Sequence, residues 1–407
     1  MFDLCVVGGG MSGMTAAITA ARLGSKVLLI EKNNKLGKKI YATGNGKCNL
    51  GNTYIDYSRH YNSTDDNYID FLLDSCGDMP TKDLTDFFAS CGIYITEKNG
   101  YLYPNSMQAS AVVWAMIDEL KRLNVDIWLD ACVENIHKKD DVFEVKTRDT
   151  IVKSKKLILS CGGNSYSKLG GSMVGYDIAK GLGHDIIPLR PSLCGLITKE
   201  DMSSLAGVRV HSKASLICDA SETHSEEGEL QFTEYGLSGI MIFNLSSKVG
   251  KILKQGKSIS VVIDLIPNIS ENDFYSIIQL NSNRTVLGML NSIINDKLAG
   301  YILKLSNISP KDKISSLDKK ALYDILCDLK KFNLDIVDIK DYDNAQLTAG
   351  GVDISKVSSK TLMSKIVDGL YITGELLDID GLCGGYNIAF AVLSGIKAGY
   401  CSYDKNK

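Results

Sequence analysis

Gly8-Gly9-Gly10-Met11-Ser12-Gly13, with Glu31 eighteen residues past the last glycine, are the residue types and spacing that bind a dinucleotide. Gly8 allows a tight turn, Gly10 lets the backbone approach a pyrophosphate, and Gly13 lets a following helix pack closely on a sheet. A helix starting near Ser12 would turn its free N–H groups and positive dipole end toward the phosphates, with Met11 in the same turn. Glu31 would accept hydrogen bonds from ribose hydroxyls.

The elements needed to position these groups can be read around them. An apolar strand from Asp3 to Val7 leads into the glycines, an alanine-rich helix spans Thr15 to Leu23, and a second strand, Lys26 to Ile30, ends at Glu31. Residues 4 to 21 carry no charge, but three consecutive glycines interrupt them, so they read as a buried parallel strand and its helix rather than a signal peptide or membrane span. Helical periodicity follows at Tyr68 to Cys76, Thr81 to Cys91 and Ala109 to Leu123. Strand-like runs follow at Val125 to Leu129, Ala131 to His137, Val142 to Thr147 and Lys156 to Ser160, the pattern of a doubly wound sheet with a small antiparallel meander. Around Pro188 and Pro191 the character changes. Residues 192 to 265 read as short β segments, and Glu271 to about Lys331 as helical.

A second chemical constellation lies near the other end of the sequence. Gly369 to Thr373 forms a short apolar strand ending in Gly374-Glu375. Gly384-Gly385-Tyr386-Asn387 then precedes an apolar helix predicted over Ile388 to Tyr400. This arrangement resembles flavoproteins with a glutathione-reductase-like FAD domain, in which a late strand brings an acid to the ribityl and phosphate region and the next helix aims its N-terminus at the isoalloxazine. A helix dipole placed there would stabilise anionic reduced flavin.

Several blocks together resemble the BaiN-type bacterial flavoproteins, a family of NAD(P)/FAD-dependent and aminoacetone-oxidase-type FAD-binding oxidoreductases. They are Ala42-Thr43-Gly44-Asn45-Gly46-Lys47-Cys48-Asn49, Gly374 to Gly381 and Gly384-Gly385-Tyr386-Asn387, with further likeness at Leu157 to Gly163, Arg190-Pro191-Ser192 and Gly228 to Gly239. The resemblance implies an α/β fold: a discontinuous Rossmann-like FAD domain (1–190 and 346–407), an inserted β-barrel-like domain (191–268 and 332–345) and, within it, a helical domain (269–331). It also implies non-covalent FAD contacts at Gly8, Gly10, Ser12, Gly13, Glu31, Lys32, Lys39, the Thr43 to Asn49 loop, Val133, Gly162, Glu375 and the turn Gly385-Tyr386-Asn387-Ile388. This chain has Thr233-Glu234 where many members have Thr-His, and Gly239-Ile240 where they have Gly-Pro, so a catalytic role at that position is in doubt.

No catalytic residue stands out from type and spacing. Cys48 is a candidate redox or nucleophilic thiol, but no partner cysteine lies in its loop, which favours a packing role. Tyr386 and Asn387 are candidates for substrate or flavin contact, or for capping their helix. Lys39, Lys47 and Asn49 are expected to position FAD. Tyr101 and Tyr103 alternate on a short strand and read as packing, and Lys248, Lys251, Lys254 and Lys257 as a solvated face.

Composition narrows the classes. The 407 residues are 44% hydrophobic and 23% charged with net charge −3, which gives no general attraction to nucleic acid or anionic membrane. Eleven scattered cysteines and five dispersed histidines suggest a reducing, cytoplasmic compartment and no metal site. The expected function is oxidoreduction of a small organic substrate with NAD(P)H as transient donor, since a single GxGxxG leaves no second nucleotide domain. The alternatives are an amine-type oxidase using oxygen and a non-redox or nucleic-acid-linked FAD-binding protein akin to tRNA-modifying enzymes. The mixed lysines and aspartates of residues 296–331 argue against that last class.

Overall fold

The computed structural model describes residues 1–219 and 221–403 and divides into two compact units, Met1–Arg190 with Gln346–Lys407, and Pro191–Ala345. In the first, β1 (Phe2–Val7), α1 (Met11–Arg22) and β2 (Val27–Ile30) follow each other as the sequence predicts. β1 lies between β2 and Ile151–Leu159, all parallel, and Asp126–Trp128 extends the sheet beyond β2. β2 is buried along its whole length, which explains its unbroken Val27-Leu28-Leu29-Ile30 run.

Ile151–Leu159 joins two kinds of sheet. Its first half pairs antiparallel with Val142–Thr147, the middle strand of a meander completed by Val133–Lys139. Its second half pairs parallel with Leu370–Ile372. Burial follows the pairing, alternating over Ile151 to Ser154 and continuous over Leu157 to Leu159. The sequence reading caught only the continuous half, because Ile151-Val152-Lys153-Ser154-Lys155 has the weak apolar pattern of a one-sided strand.

The C-terminal helix, Tyr386–Cys401, packs on α1 at backbone distance. A Cβ on Gly395 would stand 2.6 Å from Ser12 O, and one on Gly399 2.6 Å from Ala16 O, so only glycine fits at these crossings. This fixes α1 and the late motif to one another.

The second unit contains a closed six-stranded barrel, in order Leu196–Thr198, Gly236–Ser238, Ser221–Thr233, Arg209–Cys218, Ile259–Asp264 and Phe332–Ile339. Between two of its strands lies the helix Ile240–Leu253, where the sequence reading expected only short β segments. Ile240-Met241-Ile242-Phe243 looks strand-like locally. The buried set Met241, Ile242, Leu245 and Val249 nevertheless has helical spacing, and it packs into the barrel core. The helices Glu271–Leu280, Val286–Leu290, Asp296–Leu305 and Lys319–Lys330 share that core. Ser270, Thr285, Asn295 and Asp318 cap them in turn, which is why this stretch reads clearly as helical.

Candidate active site

The glycine turn after β1 separates into positions the protein itself fills and positions it leaves open. Gly8 has φ +109°, and a Cβ there would meet Ser160 O at 2.4 Å. A Cβ on Gly13 would meet Gly8 O at 1.9 Å. Gly10, by contrast, has an ordinary φ of −79°, and a Cβ on it would have no neighbour within 4 Å. The same is true of Gly162, at φ +72° beyond the adjoining strand. No side chain caps α1 at Gly10, so open space adjoins an uncapped helix N-terminus, the cradle a pyrophosphate requires.

Glu31 is held against this turn. One carboxylate oxygen accepts the Gly9 N–H at 2.7 Å, and the other accepts from Asn33 N at 2.8 Å and Asn33 Nδ2 at 2.5 Å. Lys32 is half-buried beside it, and Val133 is buried at the start of its strand.

The late motif arrives at the same helix end. Gly374 takes φ +66°, and its Cβ position lies 2.7 Å from Ser12 Oγ. Its N–H donates to Ser394 Oγ at 3.1 Å. Glu375 accepts from Lys39 Nζ at 2.9 and 3.2 Å, from Ser165 Oγ at 3.2 Å and from Thr348 N at 3.0 Å. Thr348 Oγ1 in turn accepts the N–H groups of Asn164 and Ser165. The sequence pointed to Lys39 and Glu375 but not to Ser165 or Thr348, which sit in segments with no motif of their own.

The Thr43 to Asn49 loop is folded tightly and lies against the Gly385 turn. Gly44, Asn45, Gly46 and Cys48 all have φ between +53° and +81°. Asn45 and Lys47 are exposed. A Cβ on Gly385 would come within 2.6 Å of Asn49 Oδ1 and 2.7 Å of Gly51 Cα. Cys48 is fully buried, and burial pushes its thiol up to about 11, so it stays protonated at neutral pH. That environment favours the packing role over the nucleophile.

The C-terminal helix begins at Tyr386, two residues earlier than predicted, with Gly385 as its N-cap. Asn387 therefore does not cap it. Its Oδ1 accepts the Gly381 N–H at 2.8 Å and its Nδ2 donates to Gly381 O at 2.7 Å, clamping the preceding turn. Tyr386 stacks on His60, with ring centroids 4.1 Å apart and planes at 16°, and its carbonyl accepts from the Tyr61 hydroxyl at 2.8 Å. Ile388 is half-buried in the same turn. His60 went unnoticed in the sequence, because nothing local links it to a residue more than 300 positions away.

A parallel βαβ sheet, an open glycine cradle, an acid at the end of the second strand and a late acid beside the same helix end define an FAD-dependent oxidoreductase. The comparisons agree. The chain belongs to the family described as "HI0933-like protein Rossmann domain", whose model matches residues 2–401, the family to which BaiN-type flavoproteins belong. It is 35% identical to a 3-dehydro-bile acid delta(4,6)-reductase of Clostridium scindens, over 98% of each chain. It is 29% identical to a ribosomal RNA dihydrouridine synthase of Escherichia coli K12, over 96% of this chain and 95% of that one. In fold it is similar to a 3-ketosteroid delta1-dehydrogenase of Sterolibacterium denitrificans, with TM-score 0.51, 12% identity and coverage of 98% and 99%. Among the described residues no helix is long and apolar enough to cross a membrane, and no group of three or more His, Cys, Asp or Glu could hold a metal ion.

Proposed function

We propose that this chain reduces a carbon–carbon double bond conjugated to a carbonyl in a small organic molecule, with NAD(P)H as transient electron donor. The observation that carries this reading is the 35% identity, over nearly the whole of both chains, to a reductase whose name specifies 4,6-unsaturation next to a 3-oxo group. The dihydrouridine synthase relative supports the same bond chemistry, since the uracil 5,6-double bond is also conjugated to a carbonyl. It favours a second reading, in which the acceptor is a uridine within RNA.

FAD, when bound, supplies the hydride chemistry. The chain's residues bind and orient it. The N–H groups at Met11, Ser12 and Gly13 would hold its pyrophosphate, and Glu31 would accept from its adenosine ribose. Glu375, charge-balanced by Lys39, would accept from the ribityl region. The Thr43 to Asn49 loop and the Gly385 turn would border the ring, where the N-terminal dipole of the C-terminal helix would stabilise negative charge. Lys32, Val133, Gly162 and Ile388 would complete the lining.

The test is anaerobic reduction of the holoenzyme with NADH and with NADPH, followed by mixing with 4-androstene-3,17-dione, a uridine-containing ribosomal RNA fragment, or oxygen. Fast reoxidation by the steroid enone supports the first reading, and by the RNA alone the second. No reduction by either nicotinamide, with reduction by an amine and reoxidation by oxygen instead, replaces both with an amine-type oxidase.

A further inference from the structure

Among the described residues, two hydrogen-bond donors on one aromatic stack have no protein acceptor. His60 closes the short helix Tyr57–His60, whose N-cap Asp56 donates its backbone N–H to His60 Nδ1 at 3.0 Å. A backbone amide can only donate, so Nδ1 is an acceptor and the proton of the neutral ring sits on Nε2. Burial holds His60 below its ordinary range, which keeps the imidazole neutral. Tyr386 is 8% exposed, and burial raises its phenol to about 12, so it too remains a neutral donor. Among the described residues neither His60 Nε2 nor Tyr386 Oη makes a hydrogen bond, and neither is among the polar atoms sealed from solvent. The two rings lie near-parallel, at 16° with 4.1 Å between centroids, so both donors belong to one aromatic stack.

The surroundings fix this geometry. Tyr54 packs edge-on against His60 at 5.7 Å and donates to Asp56 Oδ2 at 3.1 Å, bracing the helix that carries the imidazole. His60 O accepts the Leu382 N–H at 2.8 Å, and Tyr61 pairs with Gly381, so the segment bearing His60 is laced to the turn before Tyr386. Asn387 clamps that turn from the other side. Two rigid segments distant in sequence thus present a pair of neutral donors at the N-terminus of the C-terminal helix.

We propose that His60 Nε2 and Tyr386 Oη seat the carbonyl oxygen of the substrate. This rests on the conjugated-carbonyl reading above. As a hydride adds to the β-carbon, the C=C electron pair moves toward the carbonyl oxygen as an enolate, and a solvent proton at the α-carbon completes the reduction. Two preorganised neutral donors stabilise that charge without an ion pair that would have to be desolvated.

The test uses dithionite-reduced holoenzyme, which removes any dependence on the nicotinamide donor. Reoxidation is followed at the flavin absorbance after mixing with 4-androstene-3,17-dione, 2-cyclohexen-1-one or ferricyanide, an acceptor without a carbonyl. His60→Phe and Tyr386→Phe each keep a ring in the stack and remove one donor, and His60→Gln restores an N–H. The expected result is a fall of about 100- to 1000-fold in the ratio of enone to ferricyanide rates for each Phe variant, the range seen when one oxyanion donor is removed, with partial recovery in His60→Gln. If neither enone reoxidises the wild-type enzyme, the parent reading fails and this proposal falls with it. Should wild type react while both Phe variants keep its rate ratio, the seat is refuted and the parent reading stands.

Discussion

Lys39 Nζ lies 2.9 Å from Glu375 Oε2, although 336 residues separate the two in the chain. Their side chains are 30% and 17% exposed, and Ser165 bridges them, its hydroxyl taking a hydrogen bond from Lys39 and donating one to Glu375. A carboxylate next to a cofactor that carries phosphates would repel it. Lys39 offsets that charge, so the pair is proposed to act as a unit in FAD binding.

Glu375→Gln is therefore expected to weaken FAD retention by at least about tenfold, near 1.4 kcal/mol. Lys39→Met should cost more, because it strands a partly buried carboxylate. The double variant should recover part of that loss, a coupling of about 0.5–3 kcal/mol. FAD dissociation constants from flavin fluorescence across the cycle test this, and strict additivity would count against a coupled pair.

Gly10 and Gly13 should fail differently. Gly13→Ala drives a Cβ into Gly8 O and is expected to destabilise the fold by about 1–3 kcal/mol or more. Gly10→Ala places its methyl in open space at a permitted φ and should leave the melting temperature of the apoprotein nearly unchanged while lowering FAD affinity. Melting curves with and without FAD separate the two, and a Gly10→Ala protein that binds FAD normally would show that the cradle is not the pyrophosphate site.

Glu119 predicts an acid-side loss of stability. It is 7% exposed and bonded to Arg122 and Arg22, which hold its carboxyl down at about 2, well below the usual range near 4.5. A lowered folded-state pKa adds stability above the unfolded value, and that stability is lost as pH falls from about 4.5 toward 2. Solvent screening around the exposed Arg122 reduces the contribution to on the order of 2 kcal/mol. Urea unfolding of Glu119→Gln should give a flatter pH dependence between 5 and 2 than wild type. Parallel curves would assign the acid lability elsewhere.

Cys48 should be chemically silent. Its thiol is buried and pushed up to about 11, whereas Cys132 is exposed. Iodoacetamide at pH 8, read by peptide mass spectrometry, should label Cys132 and spare Cys48 until the chain unfolds. Cys48→Ser should keep turnover, and rapid native labelling of Cys48 would restore it as a reactive thiol.

Some of this molecule was legible in its sequence because the governing physics is short-range. The glycine turn, β1, α1, β2 and Glu31 lie within about 30 consecutive residues, where backbone sterics and periodicity decide structure almost unaided. The capped helices between Glu271 and Lys330 read clearly for the same reason. Other features depended on partners the local pattern does not name. The helix Ile240–Leu253 looked like strand until the barrel core supplied a surface for one of its faces. Asn387 looked like a cap or ligand contact until Gly381 folded back onto it.

Sequence by itself determined that a dinucleotide is bound and which acids and glycines are suited to bind it, since residue type and spacing set backbone freedom and hydrogen-bonding capacity. Only the tertiary structure decided which glycines face open space and which are needed for packing. It also decided that Lys39 answers Glu375 and that His60 lies on Tyr386. Those outcomes follow from close packing between segments hundreds of residues apart, made possible where Gly395 and Gly399 let two helix backbones touch.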